Sequence, residues 1–429
     1  MASVADTFRR LWRTPELRRD ILFVLGVLAV FRVLAHVPIP GVDPGALRQL
    51  FAGNQLLGLL NIFSGGGLQN LSVVMLGVGP YITASIIFQL LTMAVPRLER
   101  LQKEEGEAGR QKINQWTRLA TVPLTILQAY SFIALLRSQS GTISESLDNI
   151  PMGLAIIVVS AGTMLLMWLG ELISERKLGN GISLIIFAGI VSSLPQAVQQ
   201  TISVYDPSQL FNIIVFLIVA LITIVSVVYV TEAQRNIPVS YARAIRGAGG
   251  YGGSATYLPL RVNMAGVIPI IFAVSLVLFP PTVARFLQQA SSLWLRQAAE
   301  SVVSLFANQG FYAVLYGLLV FAFTYFYTYV VFQPKQVAEN LQKQGGFIPG
   351  IRPGTHTSNY LQYVTNRILL AGAAFLAAIA VLPTLLQSGG GVAGSLVVGG
   401  TSVLIVVSVV IETIRQIQSQ LVMRDYEKL

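Results

Sequence analysis

Ten apolar runs dominate this 429-residue chain, at roughly 21–37, 73–95, 117–137, 153–173, 182–199, 210–231, 264–286, 311–332, 367–387 and 398–415. A helix needs about 20 mostly apolar residues to cross a bilayer. Only helices and closed barrels satisfy their backbone groups within it. The short alternating segments of a barrel are absent from the sequence. Composition agrees, at 54% hydrophobic and 11% charged, where soluble domains carry about 25% charged residues. The expectation is an all-α polytopic membrane protein with ten transmembrane helices. No cleavable signal peptide is expected, because the first run follows an arginine-rich stretch and lacks a small-residue cleavage site. With no cysteine in the chain, disulfides and thiolate metal sites are excluded.

Orientation follows from Lys and Arg, which gather on the cytoplasmic side of membrane proteins. With the N-terminus inside, the inner segments hold Arg9, Arg10, Arg13, Arg18 and Arg19, then the cluster from Arg97 to Arg118, and later Arg235, Arg243, Arg246, Arg261, Lys335, Lys343, Arg352 and Arg415. The outer segments hold Arg48, Arg137, Arg285 and Arg296. Both termini are therefore expected in the cytoplasm. The net charge of +10 reads as an orientation signal before it reads as nucleic-acid binding.

Two halves of five helices invite a search for a repeat. The second run contains Gly77-Val78-Gly79-Pro80-Tyr81-Ile82 and the seventh Gly266-Val267-Ile268-Pro269-Ile270-Ile271, both G-V-x-P-x-I. The fifth opens Gly181-Ile182-Ser183-Leu184-Ile185-Ile186 and the tenth Gly400-Thr401-Ser402-Val403-Leu404-Ile405, both G-x-S-x-x-I. An odd number of helices per half makes the two halves inverted across the membrane plane. Proline within a spanning helix kinks it, and glycine admits a close neighbour. Runs two and seven are thus expected to be a bent, weakly packed pair.

The membrane interior offers little chemistry. Glu171 and Glu232 lie near the cytoplasmic ends of runs four and six, within reach of water, Arg176 or Arg235. Arg32 is expected to snorkel outward. His36 and His356 are the two histidines and no metal spacing surrounds them. No nucleophile elbow or phosphate-binding loop occurs, so no enzyme, cofactor or metal is expected.

What remains is a passage or a scaffold. The repeat positions carry Val78, Ile82, Ile182, Ile186, Ile271 and Ile405. Residues four apart share a helix face, and converging faces would form an aliphatic collar that blocks ions by dewetting. Before run two stands an apolar stub too short to span, ending in Asn61-Ile62-Phe63-Ser64-Gly65-Gly66-Gly67. Its glycines allow it to swing. It is expected to close the collar from outside, as a plug.

These stretches resemble the SecY family, the channel subunits of the bacterial Sec protein translocon. The match runs through "HVPIPGVD" (36–43), "NIFSGGG" (61–67), "LGVGPYITASIIFQLLT" (76–92), "KEEGEAGRQKINQWTR" (103–118), "MWLGE" (167–171), "GNGISLIIFAGIV" (179–191), "LPLRVNMAGVIPIIF" (258–272), "FIPGIRPG" (347–354) and "GGTSVLIVV" (399–407). The resemblance implies an hourglass-shaped protein-conducting channel in the bacterial inner membrane. The six aliphatics form its pore ring and a half-helix at about 57–68 its plug. Runs two and seven border a lateral gate toward lipid, with Pro80, Gln89, Asn263 and Pro269 at its positions. Gln89 and Asn263 are expected to hold the closed gate by hydrogen bonds, each contributing about 0.6 kcal/mol.

The resemblance further implies SecE-like and SecG-like membrane subunits, preproteins as cargo, and a SecA motor or ribosome docking on the loops at 232–263 and 333–366. Arg352, Arg246 and Arg243 are the basic docking residues expected there. The family's paired basic residues at the first loop's tip fall on Ala248 and Gly249, a departure that weakens the expected docking. The division expected is a cytoplasmic segment 1–20, halves 21–205 and 206–415, and a tail 416–429. The rival reading is an inverted-repeat solute transporter, which requires a polar midplane site.

Overall fold

The structure, a computed structural model, describes residues 14–39, 61, 64–68, 70–137, 151–203, 210–241, 256–288, 292–388 and 399–427. Its helices are α1 (Pro15–Leu34), α2 (Gly79–Ala94), α3 (Pro96–Glu104), α4 (Gly106–Arg137), α5 (Met152–Glu175), α6 (Gly181–Ser203) and α7 (Leu210–Glu232). After strands β1 (Gln234–Tyr241) and β2 (Thr256–Arg261) come α8 (Ile268–Leu287), α9 (Leu293–Ala307), α10 (Gln309–Val331) and α11 (Pro334–Lys343). Strand β3 (Gly346–Phe347) precedes α12 (Thr355–Ser388) and α13 (Gly399–Glu427). Each of the ten apolar runs overlaps one helix. Among the described residues, five helical spans are long and apolar enough to cross a membrane, and three shorter apolar helices join them.

The helices pack as a chain of neighbours. On one side of residue 205, α2 packs on α4, α4 on α5, and α5 on α6 and α1. On the other, α8 packs on α10, α10 on α12, α12 on α13, and α13 on α7. The two groups meet along two lines, α8 against α2 and α4, and α6 against α13. One large hydrophobic cluster runs through both groups, from Leu17 and Phe31 on α1 to Ile405 and Val409 on α13. A second, around Leu68, Leu71, Met75, Phe132, Ile133 and Val159, joins the segment before α2 to α4 and α5.

Three features depart from the sequence reading. Residues 71–78 are turns, so α2 begins at Gly79 instead of 73. Pro80 and Pro269 occupy the second positions of α2 and α8, where proline starts a helix and costs no hydrogen bond. They stand at the helix starts; prolines further inside a helix include Pro123, Pro195, Pro280, Pro281 and Pro383. The loops expected at 232–263 and 333–366 are joined by a three-stranded sheet of order β2-β1-β3. Strand β1 pairs antiparallel with β2, Ile237 facing Leu258, and with β3, Ser240 facing Phe347. Its alternation buries Ile237 and Val239. Ile237 and Leu260 pack with Ile348 and with Leu361 and Val364 of α12. Finally, α9 is a helix no apolar run announced. It buries Ala299 and Phe306 and sets Phe306 edge-on to Phe311 of α10 at 5.5 Å.

Candidate functional site

The six aliphatics come from the starts of four helices. Val78 sits at the N-cap of α2, and the Ile82 N–H donates to its carbonyl at 3.1 Å. The Ile271 N–H makes the matching bond to Val267 at 3.2 Å. Val78, Ile82, Ile186, Ile271 and Ile405 are each at most 4% exposed and share the large hydrophobic cluster. Ile182 is only half-buried and packs at the cluster's margin. A Cβ on Gly170 of α5 would lie 2.5 Å from Ile182 Cδ1, so this side chain leans on α5. Val267, the repeat mate of Val78, is also fully buried in the cluster. The sequence reading left it out, although the G-V-x-P match marks it.

Beside this cluster runs the glycine segment. Asn61 and Ser64 to Leu68 are described; Ile62 and Phe63 lie outside the described residues. The Gly66 N–H and the Ser64 hydroxyl both donate to the Asn61 carbonyl, at 2.8 and 2.9 Å, and the Leu68 N–H donates to Ser64 Oγ at 3.0 Å. Gly65 and Gly66 take φ of 67° and 82°, the left-handed region where glycine carries no Cβ strain. A Cβ on Gly65 would lie 2.5 Å from Phe31 Cζ and 3.1 Å from Gly189 Cα. Arg32 Nη1 donates to the Gly65 carbonyl at 2.6 Å. Arg32 is thus engaged with the segment and not simply snorkelling. Downstream, the Ser72 N–H donates to Gly67, Ile39 to Leu71, and Val73 to Val37, pinning the chain beside residues 37–39. These bonds matter because buried irregular backbone must find partners for its N–H and C=O groups within the protein. Leu71, Ser72, Val74 and Met75 are fully buried.

The residues expected at the gate lie on α2 and at or just before the start of α8, two helices that pack on each other. Pro80 and Pro269 are buried at the two helix starts. Asn263 precedes α8, accepts from the Gly266 N–H at 2.9 Å and donates to the Gly266 carbonyl at 3.3 Å. Gln89 donates to Ser85 of its own helix at 3.3 Å, while its Oε1 is buried with no hydrogen-bond partner. Both side chains bond locally and not to each other. The reason is geometric: Asn263 is spent in clamping a glycine turn one residue group before the helix.

Ion pairs line the basic side. Glu171 pairs with Arg118 at 2.6 Å and Glu232 with Arg415 at 2.7 Å, in place of the sequence neighbours Arg176 and Arg235. Arg176 instead reaches Asp20 at 3.4 Å and lies over the Phe23 ring at 4.4 Å. Burial, reinforced by the Arg415 charge, pushes the Arg261 guanidinium below its usual range, and Glu232 opposes that shift. Each of these pairs stays within one helix group. A polar link between groups is Gln420 of α13, donating to the Lys177 carbonyl at 2.6 Å on the α6–α13 side. Arg352 is exposed between Gly350 and Gly354, both at positive φ, and its carbonyl accepts from the Thr357 hydroxyl at 3.0 Å. The loop backbone is fastened to α12 while the guanidinium projects. Arg243, Arg246, Ala248 and Gly249 lie outside the described residues.

Comparison with known proteins bears on this arrangement. The SecY family model matches residues 72–414. The chain is 44% identical to the protein translocase subunit SecY of Streptomyces galbus over 437 aligned residues, which cover 98% of each protein. Its fold is similar to a solved protein-conducting channel, with TM-score 0.61 at 19% identity over 92% of this chain and 91% of that one. It is equally similar to a SecY structure whose plug domain is described as stabilising the closed channel and maintaining a membrane seal, with TM-score 0.60, 19% identity, and 92% and 91% covered. At such identity these two structures speak for the fold alone.

Proposed function

The chain belongs to the SecY family, and from that membership we propose that it forms a passive channel for unfolded polypeptides in the bacterial inner membrane. Both termini face the cytoplasm. Hydrophobic segments leave sideways between α2 and α8, and translocated segments pass outward through the ring. The chain performs no catalysis; a SecA-type motor or a ribosome supplies the work, and SecE-like and SecG-like subunits complete the assembly. Residues 21–205 and 206–415 act as the two halves, between the cytoplasmic segment 1–20 and the tail 416–429.

One observation supports this reading above the others. Five aliphatics from the starts of four helices, two on each side of residue 205, are buried in one continuous apolar cluster. A solute transporter needs polar groups at that place. A dry constriction excludes ions by dewetting and still yields to an extended chain. In this reading Val78, Ile82, Ile182, Ile186, Ile271 and Ile405 form the ring, Asn61 to Gly67 belong to the plug, and Pro80, Gln89, Asn263 and Pro269 border the gate. Docking falls to Arg352, Arg243 and Arg246, carried by the loops that β1, β2 and β3 join.

Ion flux through the reconstituted complex tests the reading. Deleting residues 57–68, or substituting Ile82→Ser together with Ile405→Ser, is expected to raise flux in the absence of preprotein. Tight vesicles from both variants would overturn the sealed-pore reading.

A further inference from the structure

We propose that Arg32 is the latch that holds the plug seated, acting as a positioning residue through the carbonyl of Gly65. The proposal rests on reading residues 57–68 as the plug. Asn61, Ser64, Gly66 and Leu68 are bonded among themselves, through the Asn61 carbonyl and Ser64 Oγ. A 2.6 Å bond from Arg32 Nη1 to the Gly65 carbonyl ties this segment to α1. Arg32 stands inside the first apolar run of the sequence, and a charged side chain in such a run, read as a membrane span, is costly and marks a functional place by default. Among the described residues no carboxylate pairs with Arg32, so the guanidinium spends its charge on a neutral acceptor. A hydrogen bond from a charged donor is short and strong, yet a released carbonyl bears no charge and is readily solvated. That combination suits a tie meant to be broken and remade.

Steric fit sharpens the seat. Gly65 lies where any side chain would collide with the buried Phe31 ring and crowd the Gly189 backbone of α6. Gly65 takes a φ of 67°, a conformation that glycine adopts without strain, and its carbonyl accepts from Arg32 of α1. Neighbouring residues of one helix, Phe31 and Arg32, therefore form a socket for one glycine. A polypeptide entering the ring beside α6 would push Gly65 off Gly189 and break the Arg32 bond in the same movement.

The test is ion flux in proteoliposomes holding the complete complex without preprotein. It compares wild type, Arg32→Gln, Arg32→Lys, Gly65→Ala, the 57–68 deletion, and Arg32→Gln within that deletion. Arg32→Gln is expected to raise flux roughly tenfold, equivalent to about 1.4 kcal/mol in the seated-to-unseated ratio. Arg32→Lys, which keeps a charged donor, should leak less, and Gly65→Ala should leak like Arg32→Gln. Arg32→Gln should add nothing to the deletion. If the deletion leaks while Arg32→Gln and Gly65→Ala stay tight, the latch is wrong and the channel reading stands. Additional leak from Arg32→Gln on top of the deletion also overturns the latch, because Arg32 would then act elsewhere. A tight deletion variant removes the plug reading and the latch with it. Should Arg32→Gln fail to assemble, Gly65→Ala decides alone, and tight vesicles reject the proposal.

Discussion

Two helix starts share one sequence pattern and are held in different ways. Gly77-Val78-Gly79-Pro80 opens α2, and Gly266-Val267-Ile268-Pro269 opens α8. In each the glycine takes a positive φ, 59° and 65°, the valine is fully buried, and proline stands second in the helix. What precedes them differs. The start of α2 follows the turns at 64–68 and 70–78, which include Gly65 and are pinned to residues 37–39. The start of α8 hangs from β2 through the Asn263 clamp on Gly266. The repeat preserves the helix start and the isoleucine one turn inside it. It does not preserve what holds the start: one is tied to the segment after Gly65, the other to the sheet on the basic side.

Substitutions at the two starts break or sharpen that contrast. Gly162→Leu should have the largest effect. A Cβ at Gly162 would lie 2.0 Å from the Val73 carbonyl oxygen, so α5 and the turns before α2 must separate. A loss of about 3 kcal/mol is expected, read as a drop in unfolding temperature of the detergent-solubilised complex. Gly77→Ala and Gly266→Ala come next, at about 1–2 kcal/mol each for a left-handed L-residue. Equal losses would support equivalent starts; a neutral Gly266→Ala would break the equivalence, since only Glu412 lies near its added Cβ, at 3.6 Å.

Asn263→Ala should cost about 1 kcal/mol, as the loss of a side-chain cap does. It should loosen α8 without raising resting ion flux, because the proposed plug adjoins the other start. The smallest effect is expected from Arg415→Gln, which removes a half-exposed pair with Glu232 worth about 0–1 kcal/mol. Its stability difference from wild type should shrink further in high salt.

The ten apolar runs were legible because hydrophobicity over a span's length needs no knowledge of neighbours. The repeat was legible too, yet its meaning was misread. A proline eight residues into an apolar run looks like a kink, and nothing in the run shows that residues 71–78 are turns. That fact depends on backbone bonds to Val37 and Ile39 that only folding creates. The sheet was missed for a related reason. β1 alternates over a few residues, but its partner β3 comes from a loop more than a hundred positions away. Ion-pair partners escaped likewise, since Glu171 and Glu232 reach across helices to Arg118 and Arg415, where sequence proximity pointed to Arg176 and Arg235. Arg32 was visible as an oddity, a charge inside an apolar run. Its use became visible only when Gly65 was found against it.

The central claim is that a translocating chain passes through a ring made by both halves. The chain contains no cysteine, so single introduced thiols report cleanly. A preprotein carrying one cysteine, stalled midway in the complex, should form disulfide adducts with Ile82→Cys, Ile186→Cys, Ile271→Cys and Ile405→Cys alike. It should form none with Leu221→Cys on the exposed apolar face of α7. Adducts at Leu221→Cys with the four ring positions left unreacted would contradict the account.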